Sequence, residues 1–170
     1  MSRELLTKHP DIRNFTTIWT DSIRNGNFDL ANTNKLIRRY DGATGLKTGY
    51  TASAGYCISA TAEREGMELI AVVMKGETSD KRNTDAKALL NYGFSAYTLV
   101  SAAPEEPLPA LPVTMGEAEQ VGLTLPETGV TAVVEKAQAS SLEYRVDLPE
   151  TLAAPIQQGQ QVGTLTLCSG

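Results

Sequence analysis

The sequence has 170 residues, a formal net charge of −5, and a hydrophobic share of 41%. This length suits one ordinary domain or two small ones, with enough apolar residues for a core. The acidic balance and the lack of a basic run argue against nucleic acid as a partner, and no apolar run approaches the length of a membrane span.

The first forty residues predict short elements separated by turn signals. In chain order these are a helix over Ser2–Lys8, a second short helix over 10–16, a strand over 18–24, a return strand over 28–30 and a helical turn over 35–40. His9-Pro10 ends the first helix, because the residue before a proline disfavours helical geometry. Asn25-Gly26 favours a type I′ turn, which makes the two strands a hairpin.

The stretch from Asp41 to Thr51 carries the most distinctive motif. Lys47-Thr48-Gly49 matches the K-T-G element of penicillin-binding proteins and serine β-lactamases. Lys47 can supply a fixed positive charge and Thr48 a hydroxyl donor for a ligand carboxylate. Gly49 has no Cβ, so an extended ligand can approach the strand edge, and the amide of Tyr50 can donate to a developing oxyanion. A surface lysine, a strand threonine and a glycine at a bend remain the plain structural alternatives.

The residues after this motif predict a β-hairpin and then a helix. Apolar runs over 56–62 and 69–74, joined by a turn at Glu65-Gly66, place two further strands beside the Lys-Thr-Gly strand. A helix is expected from about Asp80 to Tyr97, with Ser79 as its N-cap. Its apolar stripe, which we expect to lie on the sheet, consists of Ala86, Leu89, Leu90, Phe94 and Tyr97.

A proline-rich segment over 103–112 predicts a stiff linker between two domains, 1–102 and 113–170. Beyond it, four short alternating segments separated by Pro, Gly or Ser turns predict a small all-β domain. These segments cover 120–125, 129–135, 142–148 and 161–167. The second domain shows no catalytic constellation.

The cysteines and the histidine predict neither a disulfide nor a metal site. Cys57 lies in a strand-like run and is interpreted as a small buried hydrophobe, far in sequence from Cys168. His9 has no second histidine or cysteine pair with which to form a ligand set. We therefore predict no metal and no cofactor.

The motifs taken together resemble one family. The chain is similar to the low-molecular-mass penicillin-binding proteins, the serine D-alanyl-D-alanine carboxypeptidases of peptidase family S11, and most to those of spore-forming and related Gram-positive bacteria. The segments that carry the resemblance are 32–36, Asp41-Gly42, 45–51, 54–56, 69–74 and Arg82. The resemblance covers residues 1 to about 100 well, and the β domain more loosely.

The resemblance implies an α+β fold: part of a penicillin-binding/β-lactamase-like antiparallel sheet with a packed helix, followed by the all-β domain. It makes Lys47, Thr48 and Gly49 the third active-site motif and the Tyr50 amide half of an oxyanion hole. Arg82 matches an arginine that helps to hold the substrate carboxylate; a solvated charge at the start of a helix is its structural alternative. The implied ligands are peptidoglycan peptides ending in D-Ala-D-Ala and, in the intact protein, β-lactams.

One departure from the family bears on activity. The family's nucleophile lies in an S-x-x-K motif and its proton relay in an S-x-N motif, and neither occurs in these 170 residues. We therefore expect the chain to be the C-terminal part of a carboxypeptidase, inactive alone, with the signal and anchor of an extracytoplasmic, membrane-associated protein outside it. Exposed sheet surface would then favour self-association.

Two other interpretations stay open. A non-catalytic β-rich binding or assembly module, derived from the same scaffold, accounts for the missing S-x-x-K. A relative of serine β-lactamases shares the K-T-G element, but the proline-rich linker and the added β domain suit the carboxypeptidases better.

Overall fold

The computed structural model describes residues 1–101, 107–125 and 131–169. The chain forms two compact units, Met1–Tyr97 and Thr98–Gly170. The first unit combines helices with antiparallel strands, and strands dominate the second.

The first unit opens with short helices and a hairpin. Its elements are α1 (Ser2–Lys8), a 3₁₀ turn (Pro10–Ile12), α2 (Arg13–Thr16), β1 (Thr20–Ile23), β2 (Phe28–Ala31) and α3 (Leu36–Arg39). Strands β1 and β2 pair antiparallel. The two central residues of their turn, Asn25 and Gly26, have φ of 56° and 83°. Positive φ at both positions is what a type I′ turn requires, so the predicted hairpin is confirmed.

A three-stranded antiparallel sheet forms the body of the first unit. It consists of β3 (Ala43–Thr51), β4 (Gly55–Arg64) and β5 (Met67–Gly76), in the order β3-β4-β5. Positive φ at Glu65 and Gly66 allows the tight turn between β4 and β5. The sequence prediction of a Lys-Thr-Gly strand followed by a hairpin in the same sheet is therefore confirmed. Strand β3 has one hydrogen-bonded neighbour among the described strands, so its other side is an edge.

Helix α4 (Ser79–Ala96) covers one face of this sheet. The buried cluster between them consists of Leu36, Ile58, Ala60, Ala62, Ala71, Ala86 and Leu90. Leu90 is 1% exposed, and burying a side chain of this size stabilises the fold by about 1.5–3 kcal/mol. Small alanines on both surfaces let the helix lie close to the strands.

Three details of α4 differ from the prediction. The helix ends at Ala96, so Tyr97 of the predicted stripe lies on a strand. The N-cap is Thr78 and not Ser79: Thr78 is extended, and its Oγ1 accepts a hydrogen bond from the amide of Lys81 at 3.1 Å. Ser79 already has helical geometry, whereas a capping residue must lie just outside the helix. Leu89, predicted to face the sheet, is 49% exposed because the contact with the sheet is made through Ala86 and Leu90.

The second unit consists mainly of short strands, with a 3₁₀ turn over Ala139–Ser141. The strands are β6 (Tyr97–Ser101), β7 (Leu111–Thr114), β8 (Gln120–Val121), β9 (Thr131–Glu135), β10 (Leu142–Asp147), β11 (Leu152–Ala153) and β12 (Thr164–Ser169). They form three small sheets, β6-β9, β11-β7-β8 and β10-β12. The predicted strand over 120–125 is wrong in length, since pairing ends at Val121. The predicted start of the next strand, 129–130, lies outside the described residues.

The predicted linker is described only in part, because residues 103–106 lie outside the described ranges. Leu111 and Pro112, its last two residues, lie on β7 and pair with Val121 and Gln120. Leu111 is 6% exposed. Among the described residues of the second unit, it is the one apolar residue that is buried. Its burial explains why the strand begins inside a proline-rich segment. No helix within the described ranges is long and apolar enough to cross a membrane.

Candidate functional site

The predicted site residues Lys47, Thr48, Gly49 and Tyr50 are consecutive on β3, and successive side chains of a strand point to opposite faces. Lys47 is paired with Ser59, whose Oγ lies 2.9 Å from the Oγ of Ser2 on α1. Thr48 is paired with Ile58, which belongs to the core beneath α4. Lys47 therefore stands on the α1 face and Thr48 on the α4 face. A single ligand can therefore contact both side chains only if it lies along the edge of β3.

The polar groups of Lys47 and Thr48 have different surroundings. The side chain of Lys47 is exposed, and its Nζ donates to the backbone oxygen of Thr48. Thr48 is 8% exposed, and its Oγ1 lies 2.6 Å from the Oγ1 of Thr33. The sequence did not assign Thr33 a role; its position in the Asn-Thr-Asn segment of the family resemblance was the available signal.

The beginning of β3 is closed by side chains from preceding segments. Thr16 Oγ1 donates to the oxygen of Thr44 at 2.6 Å, and Asn34 Nδ2 donates to the oxygen of Gly45 at 2.8 Å. A Cβ added at Gly45 would lie 2.9 Å from Thr16 Oγ1 and 3.2 Å from Thr61 Oγ1. Gly45 is therefore needed for packing within the protein.

Gly49 has the opposite environment. A Cβ added there would meet nothing within 4 Å, and the residue is exposed. The packing of this protein gives no reason for a glycine at position 49, but the close approach of a ligand backbone would. Beside it, the ring centroids of Tyr50 and Tyr56 lie 4.4 Å apart, and Tyr50 is 59% exposed.

Arg82, in the first turn of α4, is 4% exposed. The alternative of a solvated surface charge is therefore wrong. Its Nη1 donates to the oxygen of Cys57 at 3.4 Å, and Cys57 is the β4 residue paired with Gly49. The remaining hydrogen bonds of the guanidinium go to Ser79 Oγ and Asn83 Oδ1 at 3.2–3.3 Å.

The charge of Arg82 has no carboxylate partner within 4 Å among the described residues, although buried charges in proteins are normally paired. Burial lowers the pKa of Arg82 from its ordinary value, and an arginine nevertheless stays protonated at neutral pH. A cation of this kind beneath the β3–β4 pair makes the open part of the edge favourable for an anionic group.

The described ranges contain no cluster of three or more His, Cys, Asp or Glu side chains that could hold a metal ion. Both cysteines are unbridged: Cys57 is half-buried on β4, and Cys168 is exposed. The Sγ of Cys57 donates to the oxygen of Ala54 at 3.4 Å, so Cys57 contacts the β3–β4 turn.

Two family models match the chain. The model described as D-alanyl-D-alanine carboxypeptidase, peptidase S11, matches residues 1–78, and the model described as penicillin-binding protein 5, C-terminal domain, matches residues 99–170. The chain belongs to the D-alanyl-D-alanine carboxypeptidase family. The predicted family is therefore confirmed. The boundaries of the predicted domains and the roles of the site residues stay predictions.

The curated relatives of this chain are considerably longer than the chain itself. D-alanyl-D-alanine carboxypeptidase DacF of Bacillus subtilis is 34% identical over 98% of this chain, and the match spans 44% of DacF. DacC of Escherichia coli is 34% identical over 71% of this chain and 30% of its own length. The chain thus spans less than half the length of these relatives.

Solved structures agree with the fold. PBP3 from Streptococcus pneumoniae, described as a peptidoglycan synthesis regulatory factor, matches 98% of this chain and 47% of its own, with a TM-score of 0.75 and 27% identity. Penicillin-binding protein D2 from Listeria monocytogenes, in its ampicillin-bound form, matches 55% of this chain and 38% of its own, with a TM-score of 0.52 and 39% identity. The predicted α+β fold class is confirmed.

Proposed function

We propose that this chain supplies the peptide-binding strand of a serine D-Ala-D-Ala carboxypeptidase, which removes the terminal D-alanine from peptidoglycan pentapeptides through an acyl-serine intermediate. The observation that carries the proposal is the half-open edge of β3. Its beginning is closed at Thr44 and Gly45, whereas Gly49 faces open space and the unpaired, buried charge of Arg82 lies behind it. An extended peptide ending in a carboxylate fits such an edge.

Each predicted site residue then has a distinct task. The peptide backbone pairs with β3 around Gly49. Its terminal carboxylate accepts from the Thr48 hydroxyl and is attracted by Arg82, both of which belong to the α4 side of the sheet. Lys47 adds its charge from the other face, and the Tyr50 amide donates to the oxygen of the scissile carbonyl as negative charge develops there.

The attacking serine and its base are not supplied by these 170 residues, which contain no S-x-x-K or S-x-N motif. In the proposed reaction a serine hydroxyl attacks the carbonyl of the penultimate D-alanine, the terminal D-alanine leaves, and water hydrolyses the ester. Without a nucleophile the chain alone is inactive, since losing that group costs several orders of magnitude in rate. A β-lactam carboxylate would bind the same groups; penicillin-binding protein D2 from Listeria monocytogenes, which is similar to this chain, has been solved with ampicillin and with cefotaxime.

The proposal is tested by NMR titration of the isotope-labelled chain with diacetyl-L-Lys-D-Ala-D-Ala and with its C-terminal amide. We expect shifts centred on Lys47–Thr51 and tighter binding of the acid. Arg82→Met should remove about 10- to 100-fold of that preference, because the attraction between opposite charges near a protein surface amounts to about 1.4–2.8 kcal/mol. Lys87→Met is the control: it removes a positive charge further along α4 and should leave the preference for the acid unchanged. Equal binding of acid and amide by the unaltered chain would refute the proposal.

Inactivity of the chain alone is tested separately by intact-mass spectrometry after incubation with excess benzylpenicillin. We expect no covalent adduct, because no serine in the sequence has a lysine three residues later. A stoichiometric adduct would contradict the inferred inactivity, but it would not contradict the proposal that β3 binds the peptide.

A second candidate is a non-catalytic binding or assembly module built on the same scaffold. The missing S-x-x-K motif favours it. This module would form a defined oligomer and show no preference for a peptide ending in D-Ala-D-Ala, so the same titration separates the two candidates.

Self-association and an extracytoplasmic, membrane-associated location stay predictions. The first is supported by three apolar side chains that alternate along β5: Ile70, Val72 and Met74 are 37%, 57% and 75% exposed. They share one face of a strand that has one hydrogen-bonded neighbour among the described strands. Sedimentation velocity over a range of concentrations measures the association, and we expect Val72→Lys to weaken it.

A further inference from the structure

Thr33 contacts the proposed carboxylate-binding residue directly. The Oγ1 atoms of Thr33 and Thr48 are 2.6 Å apart, a short distance for two hydroxyl groups. Thr33 itself is exposed, whereas Thr48 is nearly buried. The hydroxyl contact therefore joins an exposed residue ahead of α3 to a nearly buried residue of β3.

The backbone that carries Thr33 is held firmly on both sides. Asn32 Nδ2 donates to the oxygens of Thr16 and Ile18 at 3.1 and 2.9 Å, and Asn32 Oδ1 accepts from the amide of Asn34. Asn34 is 2% exposed and is tied to β3 through the oxygen of Gly45. Thr33 is thus fixed relative to β3.

The hydrogen-bonding capacity of a hydroxyl decides what this contact can do. Each threonine hydroxyl has one proton and two lone pairs. If Thr48 gave its proton to Thr33, Thr48 would have none left for a ligand carboxylate. If Thr33 donates, Thr48 keeps its proton, and accepting a hydrogen bond makes it a stronger donor.

We propose that Thr33 is a positioning residue, whose hydroxyl donates to Thr48 and thereby directs the Thr48 proton to the ligand carboxylate. This inference rests on the proposed function, because it presumes a ligand that ends in a carboxylate at Thr48. A role in binding distinguishes Thr33 from a threonine that merely stabilises its loop: only the binding role depends on the charge of the ligand.

The test compares affinities of the full 170-residue chain for diacetyl-L-Lys-D-Ala-D-Ala and for its C-terminal amide. Thr33→Val keeps the shape and removes the hydroxyl, and we expect it to lower the preference for the acid roughly three- to tenfold. Thr33→Ser, which restores a hydroxyl, should restore the preference.

Thr44→Val is the matched control. Thr44 also pairs its hydroxyl with another threonine, Thr61, at 2.8 Å, but it lies at the closed beginning of β3. We expect this variant to keep the preference for the acid.

A second test introduces Thr33→Val into the Thr48→Val variant. Because the acceptor hydroxyl is then absent, Thr33→Val should change the acid-to-amide affinity ratio by less than about twofold.

Three outcomes would overturn the role of Thr33. The Thr33→Val variant keeps the full preference for the acid, it weakens acid and amide alike, or it lowers the ratio equally in the Thr48→Val background. A chain that shows no preference in its unaltered form would refute the proposed function itself. Failure of the positioning role and failure of the proposed function are therefore distinguishable.

Discussion

Gly49→Ala and Gly45→Ala form a matched pair that tests whether the open half of β3 serves a ligand. Both replace a hydrogen by a methyl group on the same strand. At Gly49 the added Cβ has no atom within 4 Å, and φ lies outside the left-handed region. The folded state therefore accepts the methyl group, and loss of chain entropy in the unfolded state should raise the free energy of unfolding by about 0.4–1 kcal/mol.

At Gly45 the same methyl group meets Thr16. The added Cβ would lie 2.9 Å from Thr16 Oγ1 and 3.1 Å from Thr16 Cβ. Thr16 cannot withdraw without losing its hydrogen bond to the oxygen of Thr44. Overpacking of this kind costs about 1–3 kcal/mol, so Gly45→Ala should lower the free energy of unfolding. The two variants should differ by roughly 1.5–4 kcal/mol.

The assays are urea denaturation, for stability, and titration with diacetyl-L-Lys-D-Ala-D-Ala, for binding. Gly49→Ala should unfold at the same or a higher urea concentration than the unaltered chain. It should bind the peptide at least about fivefold more weakly, because the methyl group would occupy the space through which the ligand backbone approaches, and overpacking costs about 1 kcal/mol or more. The reasoning is refuted if Gly49→Ala is as unstable as Gly45→Ala, or if it is stable and binds the peptide normally.

Three further predictions concern stability, measured by urea denaturation. Gly42→Ala should lower the free energy of unfolding by about 2–4 kcal/mol, because Gly42 has a φ of 77° and an added Cβ would collide with the backbone oxygen of Glu63; a normal midpoint would contradict this. Arg13→Met should lower the free energy of unfolding by about 1–2 kcal/mol, because it breaks the two hydrogen bonds from Arg13 to the Glu68 carboxylate, at 2.6 and 3.2 Å. The same contact raises the pKa of Arg13. If the loss of stability disappears in high salt, the pair behaves as an exposed surface pair and this prediction is wrong. Thr78→Ala should cost about 1 kcal/mol and Thr78→Asp almost nothing, since an aspartate also caps a helix; equal losses would remove the capping role.

Local signals were sufficient for the elements that frame the candidate site. Glu65-Gly66 and Asn25-Gly26 fix turns through positive φ, and the apolar runs on either side of Glu65-Gly66 predict two strands. The motif Lys-Thr-Gly could therefore be assigned to a strand from its sequence neighbours alone. The cap of α4 was missed by one residue, because Thr78 and Ser79 are both good capping residues and only the start of helical geometry separates them.

Contacts between distant segments could not be predicted in the same way. The hydroxyl pair between Thr33 and Thr48 joins positions 15 residues apart, and the guanidinium of Arg82 reaches a backbone oxygen 25 residues earlier. Nothing in the sequence near Arg82 indicates that it is buried; its charged neighbours Asp80 and Lys81 suggest a solvated helix start. Pro112 likewise predicts a linker. In the structure it lies on a strand, because Leu111 beside it is buried.

The Lys47 ammonium also affects which polypeptides can pair with the edge of β3. It rests on the backbone oxygen of Thr48, at the edge of the sheet, and a charge there discourages another polypeptide from adding a strand. Lys47→Ala would therefore do two things at once, removing a proposed ligand group and leaving the edge unguarded against aggregation. A variant that keeps the charge and changes its shape, Lys47→Arg, separates the two effects. Under the proposed function, the same lysine would bind the ligand and keep other polypeptides from pairing with the edge of β3.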